Sequence, residues 1–352
     1  MKIVMMRFLY YVIALSLLLQ LVPFSIHGQY YFKHYQVDDG LLHNAVTSVI
    51  QDENGMIWVG TRAGLNRFDG YSFKPCDNRK STFDNIGNNI VNVVTEGRKG
   101  KLWVATAKGL FSYDPYQELS IRVAAVPAGY IHHLVKDNRE RLWFITNGTL
   151  HQYQINKNRL IPTNLQAACM ATDGNTGLWI GREDGTIGRY NFKTGNLVNT
   201  RIIDERTPAH LRSISKIYPI NGQEVLIGCF TQGLKLYNHQ TGVCQSLSLV
   251  KDPRASIYVR DIIRGEGEQY WIATESGIYI YDRAANTAQH LQKRLNDPYS
   301  LNDNPVYTFC KDRQGGMWVG SYFGGINYYS KENARFKNTI RYPGLIPSRA
   351  ML

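Results

Sequence analysis

Apolar and polar residues alternate along this chain in runs too short for helices. Val46-Thr-Ser-Val-Ile-Gln51, Ile57-Trp-Val-Gly-Thr61, Gly64-Leu-Asn-Arg-Phe68 and Tyr71-Ser-Phe73 succeed one another with Asp, Asn and Gly between them. Short apolar or alternating runs bounded by turn formers predict the strands of an antiparallel meander. The same phrase then returns six times, centred on Trp103, Trp143, Trp179, Leu226, Trp271 and Trp318. Trp58, Trp103, Trp143, Trp179, Trp271 and Trp318 are all the tryptophans of the protein, and successive slots lie 36 to 47 residues apart. A period of this length identifies a repeat architecture.

One four-stranded meander cannot bury both its faces, whereas seven set radially around an axis bury each face against a neighbour. The expected fold is therefore all-β: a seven-bladed β-propeller of four-stranded antiparallel blades over residues 29–340. The indole slot is expected on an inner strand, filling the wedge between blades. Seven equivalent internal positions cannot all face one ligand. Each slot is followed by a glycine turn and an aromatic residue: Phe68, Tyr113, Tyr153, Tyr190, Tyr237, Tyr281 and Tyr328. In Asp52-x-x-Gly55 and Asp312-x-x-Gly315 the carboxylate is expected to close a hairpin through its own side chain rather than to bind calcium. Ring closure has two candidate strands, Tyr31-Phe-Lys-His-Tyr35 and Ala334-Arg-Phe-Lys337, of which blade seven needs one. Residues 341–352 are then a tail or the start of a second, truncated repeat array.

Composition narrows the class of function. The first 28 residues carry Lys2 and Arg7 ahead of an apolar stretch from Phe8 to Val22, the pattern of a secretory signal peptide, which predicts export to the periplasm. Five cysteines without a CxxC spacing suggest neither a zinc site nor a disulfide framework. The formal charge of +12 favours an anionic partner, but without a dense basic run nucleic acid is not expected. There is no Ser-His-Asp signature and no phosphate-cradling glycine loop, and no cofactor is expected. His132 and His133 are neighbours on a strand, which predicts opposite faces and no shared metal ion.

These repeats resemble the two-component-regulator propeller repeat of the sensor regions of Bacteroidetes hybrid two-component systems. The resemblance rests on Gly40-Leu41, Asn44, Val46, Ile50, Asp52, Gly55, Ile57 to Thr61, Gly64 to Gly70 and the linker Asn296-Asp-Pro-Tyr-Ser-Leu301, and it extends over roughly residues 30 to 340. It implies an extracytoplasmic sensor of glycan-derived oligosaccharides, with downstream kinase domains and a second copy of the chain as further partners. A full-length relative would be a histidine kinase, but this chain holds no kinase motif and is not expected to be an enzyme.

Ligands of propellers gather at the loops around the axial channel. Four residues past each slot stand Arg62, Ala107, Asn147, Glu183, Phe230, Glu275 and Tyr322, which differ while their flanks repeat. With Lys108 and Arg182 beside them, the candidate ligand-binding set is Arg62, Lys108, Asn147, Arg182, Phe230, Glu275 and Tyr322. The basic balance favours a uronate or sulfated glycan, which arginine binds bidentately. The alternatives are a protein-interaction scaffold and, less favoured, a propeller glycosidase or lyase using Glu183 and Glu275 as paired carboxylates.

Overall fold

The computed structural model describes residues 30–331 except 77–85, 87–88, 175, 251 and 253–254. The proposed signal peptide, Ala334 to Lys337 and the 341–352 tail lie outside the described residues. Seven four-stranded antiparallel sheets form the blades, each running in chain order from the axis outward except the last. Blade one consists of Val46–Gln51, Ile57–Thr61, Gly64–Phe68 and Phe73–Pro75. Blade seven takes its three inner strands from Val306–Lys311, Met317–Ser321 and Ile326–Tyr329, and its outer strand from Phe32–Tyr35. The N-terminal strand thus closes the ring, bringing buried Phe32 and Tyr35 into the wedges on either side of blade seven. Around the axis the inner strand of each blade lies against those of its neighbours, blade seven against blade one included.

The indole slot lies on the second strand of each blade, one of the two strands inside the sheet. The indoles do fill the wedges. Each meets an aromatic ring of the next blade's third strand: Trp58 with Tyr113 at 5.7 Å between centroids, Trp103 with Tyr153 at 6.1 Å, Trp143 with Tyr190 at 5.8 Å and Trp179 with Tyr237 at 6.5 Å. Trp318 meets Phe68 of blade one at 5.3 Å. Where blade five carries Leu226, the aliphatic side chain packs in one cluster with Tyr281 of blade six.

The hairpin aspartates act as expected and also hold the indoles. Asp52 accepts from the backbone N–H of Asn54 and Met56, both at 2.9 Å, while its second oxygen accepts from Trp58 Nε1 at 2.8 Å. Asp312 repeats the bond to Trp318 Nε1 at 3.0 Å, and Asp137 to Trp143 Nε1 at 2.9 Å.

The innermost strands depart from regular pairing. In six of the seven blades the register to the second strand shifts, between Val46 and Ser48, Val91 and Val93, Ile131 and His133, Ile214 and Lys216, Val259 and Asp261, and Val306 and Thr308. One extra residue is accommodated there as a β-bulge. In these six blades two successive side chains consequently turn toward the axis.

Candidate functional site

The bulges make the wall of the channel. A cavity of about 580 Å³ on the axis is lined by Thr47 and Ser48, Asn92 and Val93, His132 and His133, Ser215 and Lys216, Arg260 and Asp261, and Tyr307 and Thr308, with Arg62, Tyr130 and Tyr258 among its remaining walls. The inward edge of each innermost strand has no sheet partner within its own blade, so its backbone groups must be satisfied otherwise. The bulge side chains do this for the next blade. Thr47 Oγ1 donates to Val91 O, Asn92 Nδ2 to Ile131 O at 2.8 Å, and Ser215 Oγ to Val259 O at 2.6 Å. The following residue accepts in two blades: Ser48 Oγ from Val94 N at 3.1 Å, and Asp261 Oδ2 from Phe309 N at 2.8 Å.

His132 and His133 correct the alternation argument. The bulge at Ile131 to His133 points both rings into the cavity, with their centroids 5.2 Å apart. Burial lowers the basicity of both, His133 down to about 3 with His132 and Lys216 adding to the effect. The channel therefore holds two neutral imidazoles at neutral pH. Lys216 Nζ stands 2.6 Å from Asp261 Oδ1. Burial alone would lower this ammonium, but the carboxylate outweighs it and holds the lysine above its ordinary range. The charged side chains lining the cavity are Arg62, Lys216, Arg260 and Asp261, three cations to one carboxylate.

The turns named from the sequence stand at the mouth of this channel. Arg62 N donates to Ala45 O at 3.1 Å, Phe230 N to Ser213 O at 3.0 Å and Tyr322 N to Pro305 O at 3.0 Å, so each turn is tied to the residue that leads into its blade's innermost strand. On one side these residues join a continuous row. The Arg62 guanidinium lies 4.8 Å from the Tyr322 ring, Tyr322 lies 5.1 Å from Tyr307, and Arg260 is held between Tyr307 at 4.4 Å and Tyr258 at 3.9 Å. Phe230 extends the row against Tyr258 at 4.7 Å, and Glu275 Oε1 accepts from Arg260 Nε at 2.6 Å. Arg62, Phe230, Glu275 and Tyr322 are thus brought together across blades one, seven, six and five.

The other three candidates are not in this row. Lys108 and Asn147 are exposed turn residues, Lys108 with its N–H on Thr106 Oγ1 and Asn147 in a left-handed conformation at φ 49°. Arg182 is drawn to Gln166 O, at the end of blade three's outer strand, at 3.2 Å and to Asn199 Oδ1 of its own blade's outer strand at 2.8 Å. Sequence reasoning missed Arg260, Tyr307, Tyr258 and the histidine pair as channel residues. Their signal was the spacing of the innermost strands, where buried apolar residues stand three apart, as in Val259-x-x-Ile262 and Val306-x-x-Phe309, instead of two.

Comparisons with known proteins agree with this architecture. Two segments, residues 40–63 and 300–323, match the family model described as two component regulator propeller. These are the loop and first two strands of blades one and seven, where a buried Leu41 or Leu301 precedes a backbone N–H that donates to the third-strand Asn66 or Asn327, at 3.0 and 2.7 Å. Histidine kinase P4 of Formosa agariphila is 46% identical over 48 residues, 14% of this chain and 4% of that protein. Among solved structures, the extracellular domain of a protein described as a hybrid two component system, BT3049 of B. thetaiotaomicron, aligns with a TM-score of 0.72 at 23% identity, covering 86% of this chain and 42% of that one. The corresponding domain of BT4673 gives 0.74 at 18% identity, over 85% and 40%. Virginiamycin B lyase of Staphylococcus aureus gives 0.63 at 12% identity, over 86% and 99%. The chain spans less than half the length of the two-component ectodomains and a small fraction of the kinase. It is a seven-bladed propeller whose first and last blades match the two component regulator propeller repeat.

Proposed function

We propose that this chain is the ligand-sensing propeller of an exported two-component signalling protein, and that it takes an oligosaccharide at the mouth of its axial channel. The observation that carries this is the row Arg62, Tyr322, Tyr307, Arg260 and Tyr258 from blades one, seven and six, of which Arg62, Tyr307, Arg260 and Tyr258 line a 580 Å³ cavity and Tyr322 packs against Arg62 and Tyr307 beside it. Tyrosine rings offer apolar faces for the C–H surface of a pyranose and hydroxyls for its hydrogen bonds, and the cavity has the size of a small-ligand site. Three cations, Arg62, Lys216 and Arg260, against two carboxylates, Asp261 and Glu275, suit a uronate or sulfated sugar.

Calorimetric titration of residues 29–352 with neutral, uronic and sulfated oligosaccharides tests the proposal. Micromolar binding to at least one, abolished in Tyr307→Ala and Tyr322→Ala proteins that remain folded, is the expected result. Binding that survives both substitutions would move the ligand away from the channel. A protein-interaction scaffold is the second reading, favoured by Phe323, which stands 67% exposed beside Tyr322 at the mouth. A catalytic role gains no support from the carboxylate pair, because Glu275 is already engaged by Arg260.

A further inference from the structure

We infer that Arg260 is the anion receptor of this channel and that Glu275 is a built-in stand-in for the ligand, occupying the guanidinium until an oxyanion on the sugar displaces it. The inference rests on the channel being the ligand site, as proposed above, and goes on to name the residues that set its specificity.

Arg260 is unusually prepared for a planar anion. It is the bulge residue of blade six, aimed at the axis by the register shift between Val259 and Asp261. Its guanidinium is fixed between the rings of Tyr258 and Tyr307, at 3.9 and 4.4 Å, one from its own blade and one from blade seven. Contact with both rings restrains the guanidinium and leaves its N–H groups as the working surface.

Glu275 fills that edge incompletely. A single oxygen, Oε1, serves both Nε at 2.6 Å and the neighbouring Nη2. A carboxylate in its strongest arrangement uses two oxygens on two parallel N–H bonds. Glu275 reaches Arg260 from the turn after Thr274, at the end of blade six's second strand, and takes only part of what the fork offers. The pair is also wet, with side chains 29% and 41% exposed, so the attraction between its members is weak. An incoming carboxylate or sulfate that makes the full fork while its sugar lies on Tyr307 and Tyr322 replaces a poor partner with a better one. Glu275 then swings into solvent, and its repulsion of every other anion makes a bare oxyanion without a sugar a poor ligand.

Carboxylate and sulfate share this chemistry. The test therefore uses three disaccharides that differ at one position, bearing a glucuronate, its neutral methyl ester or an O-sulfate, titrated by calorimetry into the wild-type, Glu275→Gln and Arg260→Gln proteins. The Arg260 Nε–H signal is followed by NMR. Expected are binding of one or both charged sugars in preference to the ester, affinity for them about threefold tighter in Glu275→Gln, and loss of at least about tenfold in Arg260→Gln. Which charged sugar binds tells carboxylate from sulfate. Equal affinity for ester and acid, or a charged sugar bound no more tightly by Glu275→Gln, overturns the exchange and leaves the oligosaccharide proposal standing. If no disaccharide binds but acetate shifts the Arg260 Nε–H signal, and does so at lower concentration in Glu275→Gln, the exchange stands and the oligosaccharide proposal falls. Silence of every probe overturns both.

Discussion

The wedges between the blades and the wall of the axial channel are made by the same repeat, yet the wedges are nearly uniform and the wall is not. From blade to blade the wedge presents an indole, or once a leucine, to an aromatic ring of the next blade. Around the channel the bulge position is Thr47, Asn92, His132, Ser215, Arg260 and Tyr307 in turn. The wedge must be filled to the density of a protein interior, which restricts it to large apolar groups. The bulge residue has no such duty. It needs at most one polar atom for its neighbour's backbone, as Thr47, Asn92 and Ser215 supply, and can otherwise vary. Separation of the two tasks onto different strands lets one frame carry a varied surface.

The largest effect should come from opening the ring. Removing residues 30–35 takes the outer strand from blade seven, and with it Phe32 and Tyr35, which are buried in the two flanking wedges. At about 3–5 kcal/mol for each buried aromatic side chain, the loss should exceed about 6 kcal/mol. Denaturant unfolding measures it, and hydrogen exchange should show lost protection in Ile326–Tyr329. Unchanged stability would mean that this strand does not close the ring in solution. The comparison itself is tested next by a matched pair. Trp143→Ala, in the wedge and bonded to Asp137, should cost about 3–5 kcal/mol. Tyr307→Ala, half-buried on the channel wall, should cost about 1 kcal/mol or less. Similar costs for the two would remove the distinction between frame and wall.

Smaller, and confined to the wall, is a pH effect. His133 is held at about 3 in the folded protein, chiefly by burial. The unfolded chain takes up its proton near the ordinary imidazole value of about 6.5, so acid favours the unfolded state. Stability from this group is intact above that value and is lost progressively as pH falls toward 3. The loss reaches about 2 kcal/mol at pH 5. Urea unfolding at pH 7 and pH 5 should therefore show a drop in the wild type that is smaller by about that amount in His133→Gln. An equal drop in both would place His133 in contact with solvent.

The frame was legible in the sequence because the wedge demands the same residue types seven times, and a period announces itself. Trp58 and Asp52 could each be given a structural part from the repeat alone. Ring closure was not legible, since Tyr31 to Tyr35 and Ala334 to Lys337 are equally plausible outer strands and only the pairing of Phe32 with Tyr329 separates them. The mouth was half legible. Counting past the indole leads to the turns after the second strands, where Arg62 and Tyr322 meet, but it does not say where a long side chain goes. Arg182 goes outward to Asn199 because its own outer strand offers an acceptor. The channel wall was hidden by strict alternation, which put His132 and His133 on opposite faces. The spacing of three between Ile131 and Leu134 carried the bulge, but it becomes a bulge only when the second strand's own spacing is laid beside it.

The smallest expected effect is on the folding of Glu275→Gln. Both partners of its ion pair with Arg260 are substantially exposed, and an exposed pair contributes no more than about 1 kcal/mol once side-chain entropy and screening are counted. Glutamine keeps an oxygen that can accept from Arg260 Nε, so the change in unfolding free energy should stay within about 0.5 kcal/mol. Thermal unfolding of the two proteins in the same low-salt buffer measures the difference. A loss of about 2 kcal/mol or more would make Glu275 part of the frame, holding blade six in shape. A near-zero change leaves Glu275 with no structural duty at the mouth, so that any altered affinity for an anionic sugar in the same variant reports on the occupancy of Arg260 and not on a loosened fold.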